Sequence, residues 1–169
     1  MDGRYLTISF VDEPRDEILL YIRRDLMSMP RPKHSCSGTV LSIALFGDRD
    51  EILKRFKVNG ISPSEFGLQN IEDLRFVRIV PEFRRCTLAS NPREIRPGFV
   101  LQVIPDDNLE TGDRHSIFVQ SVDVDELTYI DDIGTSTIPM ETLMTWWDRT
   151  GRVYVRCSPS RDGCRGSSR

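Results

Sequence analysis

The sequence is poor in histidine, contains no CxxC pair and has no long apolar run, and each of these absences excludes a class of protein or site. Two histidines occur in 169 residues, so few side chains can serve as a general base near neutral pH. The four cysteines lie far apart with no CxxC pair, which argues against a zinc site; we predict neither a metal nor a cofactor. The apolar stretches fall well short of the roughly 20 residues that a membrane-spanning helix requires, so no membrane span is predicted.

The chain also lacks an excess of basic residues. Lysine and arginine number 23 against 26 acidic residues, which gives a formal net charge of -3. Proteins that bind nucleic acid without strong specificity usually present a clearly basic face. We therefore predict no nucleic-acid partner. The sequence does not indicate an oligomeric state.

The first residues, MDGRYLTISFVDEPRDE, are acidic and lack the basic-then-apolar order of a signal peptide. This favours a cytoplasmic location, either in the producing cell or in a host cell. Thiols stay reduced in such a compartment. Cys86 and Cys157 are accordingly expected to be small buried apolar side chains and not disulfide partners.

The composition is that of a soluble globular protein, with 38% hydrophobic and 29% charged residues. The length suits one domain with a substantial core, which we place at residues 1–158. The Gly/Ser/Arg-rich residues 159–169 are expected to form a flexible tail.

Local patterns divide the domain into a helical half and a strand-rich half, which predicts the α+β class. In the first half a strand over 4–11 precedes helices over 13–27, 36–46 and 48–60, and Ser62, Pro63 and Glu65 form a predicted capping box. In the second half, strands are predicted over 75–80, 98–104, 115–124, 126–131 and 151–157. One helix interrupts them over 137–150, with Thr137 near its cap and Pro139 in its first turn.

A cysteine opens one of the predicted helices, in the stretch KHSCSGTVLSIALFG from Lys33 to Gly47. The helix dipole and the unpaired N–H groups of a helix N-terminus favour a thiolate over a thiol, which is how a nucleophile is made. Cys36 is therefore the candidate nucleophile, although an ordinary buried cysteine fits the same pattern. His34, two residues away, is better explained as a solvent-exposed loop residue.

The other histidine, His115, begins the predicted strand HSIFVQSV after a polar turn, where its ring can project over a cleft. Asp131 follows the next predicted strand, and a carboxylate there can orient an imidazole. Each residue also has a purely structural explanation: a histidine at a strand edge, and an aspartate that caps a turn. For Asp132 we favour the turn explanation. The order of Cys36, His115 and Asp131 along the chain makes a stronger case than any one of them.

The stretch HSIFVQSVDVDELTYIDDIGTSTIPMETLMTWW resembles the His-to-Asp segment of papain-like cysteine peptidases. The similarity is greatest to the branch that removes double-glycine leaders from bacteriocins and to compact viral leader proteases. It extends over residues 33–155 as an order of elements. The resemblance implies a papain-like fold, with the nucleophile on a central helix packed against an antiparallel sheet. It also implies a Cys36-His115-Asp131 triad, a peptide or protein substrate, and a small residue at the cleaved bond.

The sequence departs from this family before the cysteine, where the family usually carries a Gln or Asn that donates to the oxyanion. The segment SMPRPKHS contains neither, which leaves the backbone N–H of Cys36, with Ser35 or His34, as expected donors. Two alternatives to a peptidase stay open. One is a catalytically weak or inactive papain-like domain that binds a peptide or partner protein; the other is a cysteine-dependent acyl transferase.

Overall fold

The computed structural model describes residues 35–159, and the fold is given for these residues alone. The predicted strand over 4–11 and the predicted helix over 13–27 lie outside the described residues. The same is true of the first 34 residues of the predicted domain, of His34, and of most of the predicted tail.

The first two helices along the described chain are α1 (Ser35–Phe46) and α2 (Glu51–Val58). Helix α1 ends where predicted, because Gly47 adopts a positive φ of 69° and its N–H still reaches the carbonyl of Ile43. The buried hydroxyl of Ser42 accepts the Ile52 N–H of α2 at 3.0 Å and donates to the Gly38 carbonyl at 2.7 Å. A side chain of α1 therefore caps the start of α2.

The predicted capping box is present. The Ser62 hydroxyl accepts the Ser64 N–H, and the Glu65 carboxylate accepts the Ser62 N–H at 3.0 Å. The turn that it starts is a short 3-10 helix, Pro63–Glu65, and a second one, Leu68–Asn70, follows.

The strand predicted over 75–80 is wrong: this segment is helix α3 (Leu74–Ile79). Asp73 caps it by accepting the Arg75 N–H at 2.9 Å. The buried residues Phe76, Val77 and Val80 follow a helical spacing, which places them on one face against the core. A third 3-10 helix, Pro81–Arg85, continues the chain to the sheet.

Within residues 35–159, six strands form one antiparallel sheet in the order β1-β6-β2-β3-β4-β5. The predicted α+β class is therefore confirmed. The strands are β1 (Cys86–Ala89), β2 (Val100–Val103), β3 (His115–Val122), β4 (Glu126–Ile130), β5 (Thr135–Pro139) and β6 (Tyr154–Cys157).

The helix predicted over 137–150 begins later than expected, as α4 (Met140–Asp148). Thr137 and Pro139 belong to edge strand β5, where the Thr137 hydroxyl pairs with that of Thr128 across the sheet at 2.8 Å. Proline is tolerated there because it ends an edge strand and its missing N–H breaks no central ladder.

The core lies on both faces of the sheet, and central strand β2 contributes to each. Val100 packs with the helical half of the chain. Leu101 packs on the opposite face with α4, including its buried Trp147, which is 1% exposed. Because side chains alternate along a strand, Gln102 faces the same side as Val100, toward α1. Ser116 is its register partner on β3. This face carries the site described below.

The expectation of reduced thiols at Cys86 and Cys157 is also wrong, because a disulfide joins them. Strands β1 and β6 place the two residues directly opposite each other, although 71 positions separate them in the sequence. Pairing at this range depends on the sheet register, which the local sequence does not reveal.

Among the described residues, no helix has the length and apolar character needed to cross a bilayer.

Candidate active site

Cys36 lies in the first turn of α1 and is 4% exposed to solvent. Backbone N–H groups in a first turn have no intrahelical acceptor, so they can serve a ligand beside the cysteine. The neighbouring Ser37 fixes this end of α1 to the sheet through a hydroxyl–hydroxyl hydrogen bond of 2.9 Å to Ser116 on β3. Cys36 takes part in no disulfide.

His115 is the first residue of β3, and its backbone pairs with Val103 on β2. The sheet therefore fixes the start of the side chain, which is 21% exposed. The ring contacts both other members of the predicted triad. Its Nε2 lies 2.9 Å from Oδ2 of Asp131, and a further hydrogen bond joins the ring to Cys36.

Asp131 follows β4 and is held by a tight turn. Its Oδ1 accepts the N–H groups of Ile133 at 2.9 Å and Gly134 at 3.0 Å, while its Oδ2 is left for His115. Its own N–H donates to the Gly134 carbonyl, and the Arg49 guanidinium donates to the Asp131 carbonyl. Every polar atom of Asp131 thus has a partner, which fixes the carboxylate in place.

The charges of the site favour a protonated imidazole. Burial lowers the pKa of His115, but its hydrogen bonds to Asp131 and Cys36, and their negative charges, raise that pKa to about 10. Burial raises the pKa of Asp131, but the hydrogen bonds from His115 and from the Gly134 and Ile133 N–H groups outweigh it. The pKa of Asp131 therefore lies below its ordinary value.

These contacts also assign the two ring nitrogens. Nε2 donates to Asp131, so Nδ1 is the nitrogen that is left for Cys36. The structure thus brings the three predicted site residues into one hydrogen-bonded series.

Asp132 lies outside this hydrogen-bonded series. The turn role assigned to Asp132 from the sequence belongs to Asp131, since Oδ1 of Asp132 is buried without a hydrogen-bond partner in the described chain.

One group of residues in the described chain has the composition of a metal site. His115, Asp131 and Asp132 have ligand atoms within 4.8 Å of one another. However, Nε2 of His115 and Oδ2 of Asp131 already bond to each other. A metal ion at this position would have to replace that hydrogen bond, so the donor set fits an acid–base pair better.

A cleft of about 200 Å³ opens beside the cysteine, and sequence reasoning missed its polar lining. Besides Cys36, its walls include Gln69, Gln102, Asp113, Arg114 and Ser116. Gln102 could have been noticed, because a glutamine is unusual within the apolar run FVLQVI. In the folded chain this residue is 6% exposed. Gln69, in the short 3-10 helix Leu68–Asn70, gave no signal, because a polar residue is ordinary in a connecting segment of this kind.

No family model matches the chain, and a search of curated proteins finds no match either.

Proposed function

We propose that the protein is a cysteine peptidase of papain-like fold that uses Cys36 as nucleophile, His115 as acid and base, and Asp131 as the orienting carboxylate. One observation carries the proposal: the His115 ring is hydrogen-bonded to Cys36 on one side and to Asp131 on the other. Cys36 lies 79 positions before His115, and Asp131 lies 16 positions after it, yet the three side chains form one hydrogen-bonded series. The position of Cys36 in the first turn of a helix, against an antiparallel sheet, supports the proposed fold.

The first half of the reaction forms an acyl-enzyme. The Cys36 thiolate attacks the carbonyl carbon of a peptide bond, and the carbonyl electron pair moves onto oxygen. When the C–N bond breaks, the His115 imidazolium gives its Nδ1 proton to the departing amine, which leaves a thioester on Cys36. A pKa of about 10 means that this proton is present on His115 at neutral pH.

The second half releases the acid product. Neutral His115 takes a proton from water, which restores the imidazolium, and the resulting hydroxide adds to the thioester carbonyl. Collapse of this adduct expels the Cys36 thiolate and releases the carboxylic acid product, which regenerates the starting thiolate–imidazolium pair. Throughout, Asp131 keeps the ring oriented through Nε2 and stabilises its positive charge.

Peptide cleavage tests the proposal without a known substrate. The full chain is incubated with peptides from a digested proteome, and new N-termini are identified by mass spectrometry. We expect cleavage by the wild type, none by Cys36→Ala, and full cleavage by Cys164→Ser, which removes a thiol outside the described residues.

Three results would contradict the proposed cysteine peptidase. Equal cleavage by Cys36→Ala and the wild type would exclude Cys36 as nucleophile. Peptides that are retained by the protein but never cut would indicate a binding domain. Products joined through new amide bonds would indicate an acyl transferase, in which an amine replaces water.

A further inference from the structure

We infer that the side-chain amide of Gln69 donates to the oxyanion that forms when Cys36 attacks a carbonyl. This inference rests on the proposed function and deepens it by adding a catalytic residue. Gln69 and Cys36 line the same cleft, although Gln69 lies 33 positions after the cysteine and not before it. A donor there would replace the Gln or Asn that the segment before Cys36 lacks.

A series of hydrogen bonds sets the direction in which the Gln69 amide points. Arg114 can only donate, and its Nη1 lies 3.0 Å from Oε1 of Gln102. This contact orients the Gln102 amide so that its Nε2 faces Gln69, where it donates to Oε1 at 3.4 Å. The Gln69 carbonyl oxygen is thereby used as acceptor, which leaves its NH₂ group to donate into the cleft.

The backbone that carries Gln69 is anchored on both sides. Leu68 and Ile71 are fully buried, which anchors the short helix Leu68–Asn70 to the core. Asn70 closes the turn by accepting the Gly67 N–H at 3.1 Å. Gly67 matters for a steric reason: a Cβ there would lie 2.9 Å from Oε1 of Gln69 and would displace the amide.

Attack on a carbonyl is faster when hydrogen-bond donors lie at the oxygen on which negative charge develops. As the Sγ–C bond forms, the electron pair of the carbonyl moves to its oxygen, and N–H groups placed there stabilise the transition state. The backbone N–H of Cys36, in the first turn of α1, is the second donor that we assign. Gln102 and Arg114 are positioning residues that act through Gln69.

Two electrophiles that react with the same sulfur separate a role of Gln69 at the oxyanion from a general effect on the reactivity of Cys36. Acylation by p-nitrophenyl acetate passes through an oxyanion, whereas alkylation by iodoacetamide is a displacement at carbon that forms none. Both are measured on Cys36 in the full chain carrying Cys164→Ser, so that no cysteine outside the described residues contributes to the signal. Release of p-nitrophenolate reports acylation, and mass spectrometry confirms the modified residue.

The variants are Gln69→Ala and Gln69→Glu. Glutamate keeps the length of the side chain and can still accept from Gln102, but it has no N–H to donate. Gln120→Ala, an exposed glutamine on β3, is the matched control. Thermal unfolding of each variant shows that the fold is kept.

We expect both Gln69 variants to slow acylation roughly 10²-fold, in line with the loss of one oxyanion donor, while alkylation keeps its rate. Gln120→Ala should change neither rate. Arg114→Ala should slow acylation by a smaller factor and also leave alkylation unchanged, because the Gln69 amide loses its orientation and not its N–H groups.

The inference is overturned if Gln69→Ala is acylated as fast as the parent chain, or if both reagents slow together. In either case the proposed peptidase can stand, because the parent chain is still acylated. Absence of acylation in the parent chain itself would overturn the proposed function and this inference at once.

Discussion

Asp131 uses both carboxylate oxygens, one for the turn N–H groups of Ile133 and Gly134 and one for His115. An asparagine has a single acceptor oxygen and cannot serve both partners. We therefore expect Asp131→Asn to lower the pKa of His115 and to reduce peptide cleavage by roughly 10²-fold or more. Ring chemical shifts of His115 against pH and cleavage rates measure the two effects.

Asp132→Asn is the matched control for this substitution, since it removes a charge one position away without removing a hydrogen bond to the ring. It should change both quantities much less. Equal effects of the two substitutions would show that charge alone, and not the bond at Oδ2, governs His115.

His115 also links stability to pH. Its pKa is about 6.5 in an unfolded chain and about 10 in the folded one, so folding favours the protonated ring. This contribution to the free energy of unfolding is fully present below about pH 6.5 and is lost as the pH rises toward about 10. Urea unfolding across this range should show a falling stability in the wild type and a flatter profile in His115→Gln. Parallel profiles would contradict the raised pKa.

At the residue scale, Cys36, His115 and Asp131 could be predicted because each has a local mark: a helix start, a strand start and a turn. Gln69 and Arg114 carry no such mark, and Gln102 shows only as a polar residue within an apolar run. Their proposed role depends on contacts between a short 3-10 helix, a strand and a turn that meet only in the folded chain.

At the scale of elements, the join between α1 and α2 depends on one buried hydroxyl. Ser42→Ala would leave the Ile52 N–H at the start of α2 without its acceptor. We expect a loss of about 1–2 kcal/mol in the free energy of unfolding, measured by urea titration. Ser64→Ala, at an exposed hydroxyl, is the comparison and should cost less. A Ser42→Ala variant as stable as the wild type would show that the cap contributes nothing.

Element prediction failed where two periodicities were hard to tell apart. The stretch RFVRIV alternates enough to suggest a strand, yet the Asp73 cap and the spacing of Phe76, Val77 and Val80 favour a helix. Strand β5 was missed because Thr135–Pro139 pairs only at a sheet edge, and its sequence also suits a helix start. Helix α1 was predictable because Gly47 marks its end.

At the scale of the whole molecule, the disulfide ties β1 to β6 across 71 positions. A crosslink of this span contributes roughly 4 kcal/mol if it acts by restricting the unfolded chain. We expect a reductant to lower the urea midpoint of the wild type, and to leave the Cys86→Ser/Cys157→Ser chain unchanged. Alkylation of the unfolded, unreduced wild type at Cys86 or Cys157 would show that the bond is absent.

The same bond bears on the predicted location. Disulfides persist mainly in oxidising environments, so it counts against the reducing cytoplasm that the acidic N-terminal stretch favours. The cytoplasmic location stays a prediction.

The central claim is that His115, steadied by Asp131, holds a proton beside the Cys36 sulfur. Its most direct test is the rate of Cys36 alkylation by iodoacetamide against pH, in chains that carry Cys164→Ser. We predict that alkylation across the neutral range is at least about tenfold faster in the parent chain than in His115→Ala, because the His115 imidazolium stabilises the sulfur anion that attacks the reagent. Equal rates in the two chains across that range would contradict the account.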